Sequence, residues 1–179
     1  MQACGYLSDR SSVSRFNRRL HAVADWMAFL PATLGDLFTT GDVFVIDRRP
    51  MPVCRRVRAR RCRKVRGRAY GGYGAAKKEQ CFGWRLHLIC RPDGVPVRFH
   101  MLPAGFHDLT PVHDLAYELP EGARLLGDKA FNSTADEGSI LQDTGVRLVP
   151  VRRVNMKPHA WFLDDSELHD YCHTILNDD

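Results

Sequence analysis

From Ser14 to Leu30 apolar residues recur at the spacing of one helix face. Phe16, Leu20, Val23, Ala24 and Met27 form the stripe, Arg15, Arg18 and Arg19 lie largely to its side, and Pro31 ends it. The next apolar block changes period. Val43, Phe44, Val45 and Ile46 run without interruption between Gly41 and Pro50, which predicts a buried strand over 42–47 that closes in Asp47. Two more strands are predicted over 82–91 and 95–102, and Pro92-Asp93-Gly94 between them is a hairpin signal, so they should pair antiparallel. After Pro103 and Gly105, Asp108 or Thr110 is expected to cap a helix with Pro111 in its first turn. Val112, Leu115, Ala116 and Leu119 form that helix's apolar stripe, and Pro120 and Gly122 stop it. A short strand over 123–126 then closes in Gly127-Asp128-Lys129. Ser133, with Asp136 and Glu137 behind it, starts a helix whose Ile140 and Leu141 are expected to face inward as far as Gly145. A last strand is predicted over 146–151.

The predicted order is strand, long insertion, hairpin, helix, strand, helix, strand, which a mixed sheet flanked by helices satisfies; the fold class is α/β. At 179 residues with 44% hydrophobic content the chain is long enough for one domain with a real core. Residues 1–40 are read as an N-terminal helical segment and 41–179 as the core domain. The six cysteines (Cys4, Cys54, Cys62, Cys81, Cys90, Cys172) include no C-x-x-C pair, which argues against a zinc ribbon or a dense disulfide framework and for reduced thiols. No stretch approaches the ~20 apolar residues of a membrane span, and the start of the chain lacks signal-peptide regions, so a cytoplasmic location is expected.

Charge changes this picture in one segment. The net charge is +5 and the sequence pI about 9.0. Between Arg48 and Lys78 lie thirteen of the 26 basic residues and no Asp or Glu. A run this one-sided points to a polyanionic partner, and the Tyr70-Gly71-Gly72-Tyr73-Gly74 stretch inside it predicts a mobile loop with two rings beside the charges. Those tyrosines are read either as stacking platforms for bases or as partly buried anchors.

Asp47 and Asp128 are far apart in the chain, yet each follows a short apolar strand of the sheet interior, so both are expected to project from neighbouring strand ends. Two carboxylates brought together in a poorly solvated cleft repel each other, and a divalent cation removes that penalty. Hard cations such as Mg²⁺ fit oxygen ligands best. In phosphodiester cleavage such ions activate the attacking oxygen on one side and stabilise the leaving oxygen on the other. The alternative is that each aspartate is only a turn residue or helix cap.

Several segments, in order, resemble the transposases of bacterial insertion sequences of the Asp-Asp-Glu class. They are 14–21 (SRFNRRLH), the strand ending at Asp47, the GYGAAKK stretch before Phe82-Gly83-Trp84-Arg85-Leu86-His87, and the Pro103-Ala104 and His107-Asp108 pairs. Leu126-Gly127-Asp128-Lys129-Ala130-Phe131 and Arg152-Arg153-Val154-Asn155 complete the set. The similarity runs from about Leu7 to Tyr171 and is greatest to the insertion-sequence 982 group. The resemblance implies a ribonuclease H-like fold with a long basic insertion after the first strand, and Asp47 and Asp128 as catalytic acids holding Mg²⁺ or Mn²⁺. It implies DNA as partner, at the element ends and at the target, with a homodimer as one assembly it allows. Arg55, Arg56, Arg58, Arg60, Arg61, Arg63, Lys64, Arg66, Arg68, Lys77 and Lys78 are the candidate DNA-binding residues.

The family pattern has a third acid, a glutamate on a late helix in an Arg-x-x-x-Glu spacing, and Cys172 and Leu176 stand at the matching positions. The expectation is a C-terminally truncated core with impaired strand transfer, or a non-catalytic DNA-binding remnant. Asp164, Asp165, Glu167 and Asp170 are the nearby acids that would have to substitute. The N-terminus is also expected to be short of a full DNA-recognition region. A rival reading takes the His107-Asp108, His113-Asp114 and His169-Asp170 pairs as ligands of a metal-dependent phosphohydrolase, against ordinary hydrogen-bonding roles for these histidines. Trp26, Trp84 and Trp161 are read as core residues, and Lys129 and Arg153 as groups that face phosphate or solvent.

Overall fold

The computed structural model describes residues 13–23, 33–74, 79–152 and 156. Helix α1 (Val13–Ala22) covers the first part of the expected amphipathic helix. The strands are β1 (Val43–Arg55), β2 (Gly71–Gly74), β3 (Glu79–Cys90), β4 (Pro96–Pro103), β5 (Arg124–Gly127) and β6 (Arg147–Pro150), with helices α2 (Val112–Ala116) and α3 (Thr134–Thr144) between β4 and β6. They build one mixed sheet in the order β2-β3-β1-β5-β6, with β4 also paired to β3. β1 runs antiparallel to β3 and parallel to β5, and β5 runs parallel to β6.

The uninterrupted apolar runs have a simple cause: both faces of the central strands are buried, as is usual for parallel pairs. Phe44, Ile46, Leu125 and Leu148 pack on one face with Val112, Leu115, Ala116, Phe131 and Ile140. Val45, Leu126 and Val149 occupy the other face with Val43 and Val151 around them. The expected β3–β4 hairpin forms: the Arg91 amide donates to the Val95 carbonyl, and Gly94 takes φ +83°, a left-handed turn conformation that favours glycine.

The helix caps differ from each other. Ser133 accepts from the Asp136 amide while the Glu137 carboxylate accepts from the Ser133 amide, a reciprocal capping box, and Gly145 closes α3 at φ +72°. α2 starts at Pro111 with no side-chain cap. Neither Asp108 nor Thr110 caps it; Asp108 is bound instead by two arginines, whose charge outcompetes a backbone amide. Leu141 also departs from expectation. It is 42% exposed, because the inner face of α3 is carried by Glu137 and Ile140, three residues apart, and Leu141 lies a further 100° round the helix.

The basic stretch does not begin as a loop. β1 continues past Asp47 through Arg48, Arg49 and Arg55, paired with β3 on either side of an irregularity at Val53. Short 3-10 helices follow, about two turns at Arg56–Arg61 and one at Arg68–Tyr70, and Gly71–Gly74 forms β2 against the start of β3. Glycines that break a helix are accommodated by a short edge strand. Lys77 and Lys78 lie outside the described residues.

Candidate active site

The parallel register pairs Val45 with Leu126 and Ile46 with Gly127, so the next residues on the two strands are Asp47 and Asp128. Neighbouring strands are about 4.8 Å apart, which makes the two aspartates adjacent. Alternation along the strands puts Asp47 on the face of Val45, and the extended backbone of Asp128 (φ −71°, ψ 177°) continues the face of Leu126. Both carboxylates therefore project from one face of the sheet, Asp128 just past the carboxyl end of β5 and Asp47 beside it within β1, where the parallel pairing of the two strands stops. In open sheets this is where ligands bind.

Their surroundings differ. Asp128 accepts a 2.8 Å hydrogen bond from the Ala130 amide and caps the 3-10 turn Lys129–Phe131. The turn folds back because residue 127 has no side chain: a Cβ there would lie 2.9 Å from Cδ2 of the fully buried Phe131. The Asp47 carboxyl is pushed above the ordinary aspartate range. Burial is the largest cause and the negative charge of Asp128 adds to it, against the lowering effects of the Arg48 amide and the Arg48 and Arg49 guanidinium groups. Asp47 is nevertheless exposed, so solvent screens the repulsion between the two carboxylates. Among the described residues, no group of three or more His, Cys, Asp and Glu is placed to hold a metal. The pair fits part of a hard-cation site, since Mg²⁺ is commonly bound by one or two carboxylates with water and substrate phosphate completing the shell.

On the opposite face, directly behind Asp47, lies a charged cluster that the sequence did not announce. Arg48 and Arg85 both pair with Asp108, the latter at 2.5 Å, and Arg85 also donates to the Phe106 and Tyr73 carbonyls. Arg48 faces His87 across β1 and β3, and His87 faces His100 across β3 and β4. His87 is 1% exposed, and its pKa falls to about 4, first through burial and then through the charges of Arg85, Arg48 and His100. The available signal was the phase of β3: Arg85 and His87 alternate with the buried Ile89, so they had to point inward.

The basic residues split by position. Arg49, Arg55, Arg56, Arg58, Arg60, Arg61, Arg63, Lys64, Arg66 and Arg68 are all exposed, along and beyond the continuation of the strand that carries Asp47. Tyr70 packs against Phe82 and, edge-on at 5.0 Å, against Trp84, whereas Tyr73 is 55% exposed. Cys54, Cys62, Cys81 and Cys90 are free thiols. The histidines of the rival reading have local partners: His107 Nδ1 accepts from the Leu109 amide, and His113 Nε2 lies 3.4 Å from Asp136. Trp26, Arg153, Trp161, His169, Asp164, Asp165, Glu167, Asp170, Cys172 and Leu176 lie outside the described residues. No described helix is long and apolar enough to cross a membrane.

A family model described as the transposase DDE domain matches residues 38–175. No curated protein and no solved structure matches the chain.

Proposed function

We propose that this chain, which belongs to the family of transposase DDE domains, binds the ends of a mobile DNA element and cuts them at a divalent-cation site held by Asp47 and Asp128. The observation that carries the reading is the register of β1 and β5, which sets two mutually repelling carboxylates side by side where β5 ends and its pairing with β1 stops. Mg²⁺ or Mn²⁺ bound there would supply activation of the attacking oxygen and stabilisation of the leaving oxygen. The protein's own contribution is positional. Asp128 is fixed by the Ala130 amide, and Asp47 is fixed by its pairing with Leu88 of β3, directly after the last residue of β1 that pairs with β5.

The exposed arginines from Arg55 to Arg68, with Lys64, and with Lys77 and Lys78 beyond them, are read as the phosphate-binding surface. Their support is position: the strand that ends one side of the carboxylate site leads directly into them. The assignment to the insertion-sequence 982 group rests on the ordered segments of the sequence. A second reading, a DNA-binding chain without cleavage, is favoured by Leu176, which stands where the resemblance has a glutamate, with Cys172 in the place of the arginine four residues before it. Weak cleavage and weaker strand transfer follow from that substitution, because loss of a positioning carboxylate costs orders of magnitude in rate.

The test is cleavage of a labelled element-end duplex with Mg²⁺ or Mn²⁺. Product from the native chain that disappears in Asp47→Ala and in Asp128→Ala supports the enzyme. Binding without product moves the account to the second reading, and product that survives both substitutions sinks the proposed site.

A further inference from the structure

Asp128 stands at the start of a turn whose far end is tied down by polar groups that no function yet uses. Asn132, directly after that turn, donates from its side-chain nitrogen to the Lys129 carbonyl at 3.1 Å and to the Val151 carbonyl at 2.6 Å. Its oxygen accepts from Arg152 Nη1 at 3.0 Å. An asparagine amide has two donors on one side and an acceptor on the other, so these three contacts define a single orientation. Arg152 is itself fixed by Glu137 on α3, which is 8% exposed and takes both guanidinium nitrogens at 2.7 and 2.6 Å, a two-point pairing with planar specificity. The Val151 amide donates to the Gly127 carbonyl, one residue before Asp128.

These bonds close a ring. The 3-10 turn capped by Asp128 and the residues after β6 meet at the Asn132 amide, and Arg152 links that amide to Glu137 of α3. We infer that Asn132, held by the Arg152–Glu137 pair, is the positioning residue that sets the Asp128 carboxylate for metal. It touches neither the cation nor the DNA. This rests on the reading of Asp128 as a metal-holding acid. A carboxylate presented by a short turn moves with that turn, and a partner that orients a ligand commonly shifts metal affinity about 10- to 100-fold when it is lost.

The test measures Mn²⁺ binding on the full chain by loss of the free-ion electron-spin-resonance signal, alongside thermal melting. Asn132→Ala removes all three hydrogen bonds. Asn132→Asp keeps the oxygen that Arg152 holds and sets a second oxygen against the Lys129 and Val151 carbonyls. Arg152→Lys keeps a charge beside Glu137 while giving up the fork that also reaches Asn132, so it perturbs the ring with the ion pair retained. Thr144→Ala, at the other end of α3, removes a 2.7 Å bond to the Ile140 carbonyl and serves as the stability control. The expected result is a dissociation constant raised about 10- to 100-fold in the two Asn132 variants and raised in Arg152→Lys, with Thr144→Ala at the native value despite its own loss of melting temperature. Native affinity in folded Arg152→Lys and in either folded Asn132 variant overturns the positioning role while leaving Asp128 as a ligand. Native affinity in Asp128→Ala, or no binding by the native chain, overturns the site itself and the inference with it.

Discussion

Burial of His87 as a neutral ring gives the protein a defined acid sensitivity. Neither ring nitrogen has a hydrogen-bond partner among the described residues, and the nearest carboxylate oxygen, on Asp108, is 3.9 Å from Nε2. The pKa is lowered from 6.5 to about 4, so the unfolded chain takes up this proton before the folded one does. The stability tied to the neutral ring is therefore complete above pH 6.5, falls as pH drops from 6.5 toward 4, and is level below. At about 1.4 kcal/mol per unit, the depression amounts to about 3 kcal/mol across that window. Comparison with His87→Leu isolates it from every other titrating group. At pH 7 the variant loses no hydrogen bond and stays within about 1.5 kcal/mol of the native chain, as a volume-conserving swap does. Urea unfolding at pH 7, 5.5 and 4 should show the variant gaining about 3 kcal/mol relative to the native chain as pH falls. Stability curves that stay parallel from pH 7 to 4 would refute the claim that this ring is buried uncharged.

Three other expectations follow from the same physical picture. Asp108→Asn leaves Arg85 and Arg48 facing each other without their carboxylate and should cost about 3 kcal/mol in urea unfolding, as loss of one partner of a mostly buried ion pair does; a cost under 1 kcal/mol would mean that solvent already screens the pair. Ser133→Ala should cost about 1 kcal/mol through loss of the α3 cap, while Gly145→Ala should cost more than the ~1 kcal/mol usual for glycine chemistry, because φ is +72° and the new Cβ would sit 2.7 Å from Glu121 Cγ; equal or negligible melting shifts would contradict both. Replacing Arg56, Arg58, Arg60 and Arg61 with Ser should flatten the slope of log DNA affinity against log salt by up to about 0.9 for each phosphate that the turn no longer neutralises, and an unchanged slope would remove this turn from the DNA surface.

The parts of the fold that were legible are those where one physical cause dominates. Strands buried on both faces read as continuous apolar runs, and so Phe44 to Ile46 and Leu125 to Leu126 led directly to Asp47 and Asp128. The Ser133 cap and the Asp93-Gly94 turn were legible because their chemistry is local. The continuation of β1 to Arg55 was not, since Arg48, Arg49, Pro50 and Pro52 read as loop. The structure gives the reason: β5 pairs with Val43 to Ile46, so beyond Asp47 that edge of β1 has no partner strand among the described residues, and such an edge tolerates proline and charge. The polar groups around the site were hidden differently. Asp108 looked like a helix cap until two arginines from β1 and β3 were found on it, and Glu137 looked like a capping residue only. Glu137 fills that role and also holds Arg152, a pairing across fifteen residues that no local pattern encodes.

The central claim is that one divalent cation site joins Asp47 of β1 to Asp128 at the end of β5. Fe²⁺ with ascorbate reports it directly, because iron bound in place of Mg²⁺ generates hydroxyl radicals that cut the backbone within a few ångströms of the metal. The account predicts two cuts in the same sample, one beside Asp47 and one beside Asp128, both suppressed by excess Mg²⁺ and both absent in Asp128→Ala. Cuts confined to the neighbourhood of His107 and His113, or cutting beside Asp47 that persists without Asp128, would contradict it.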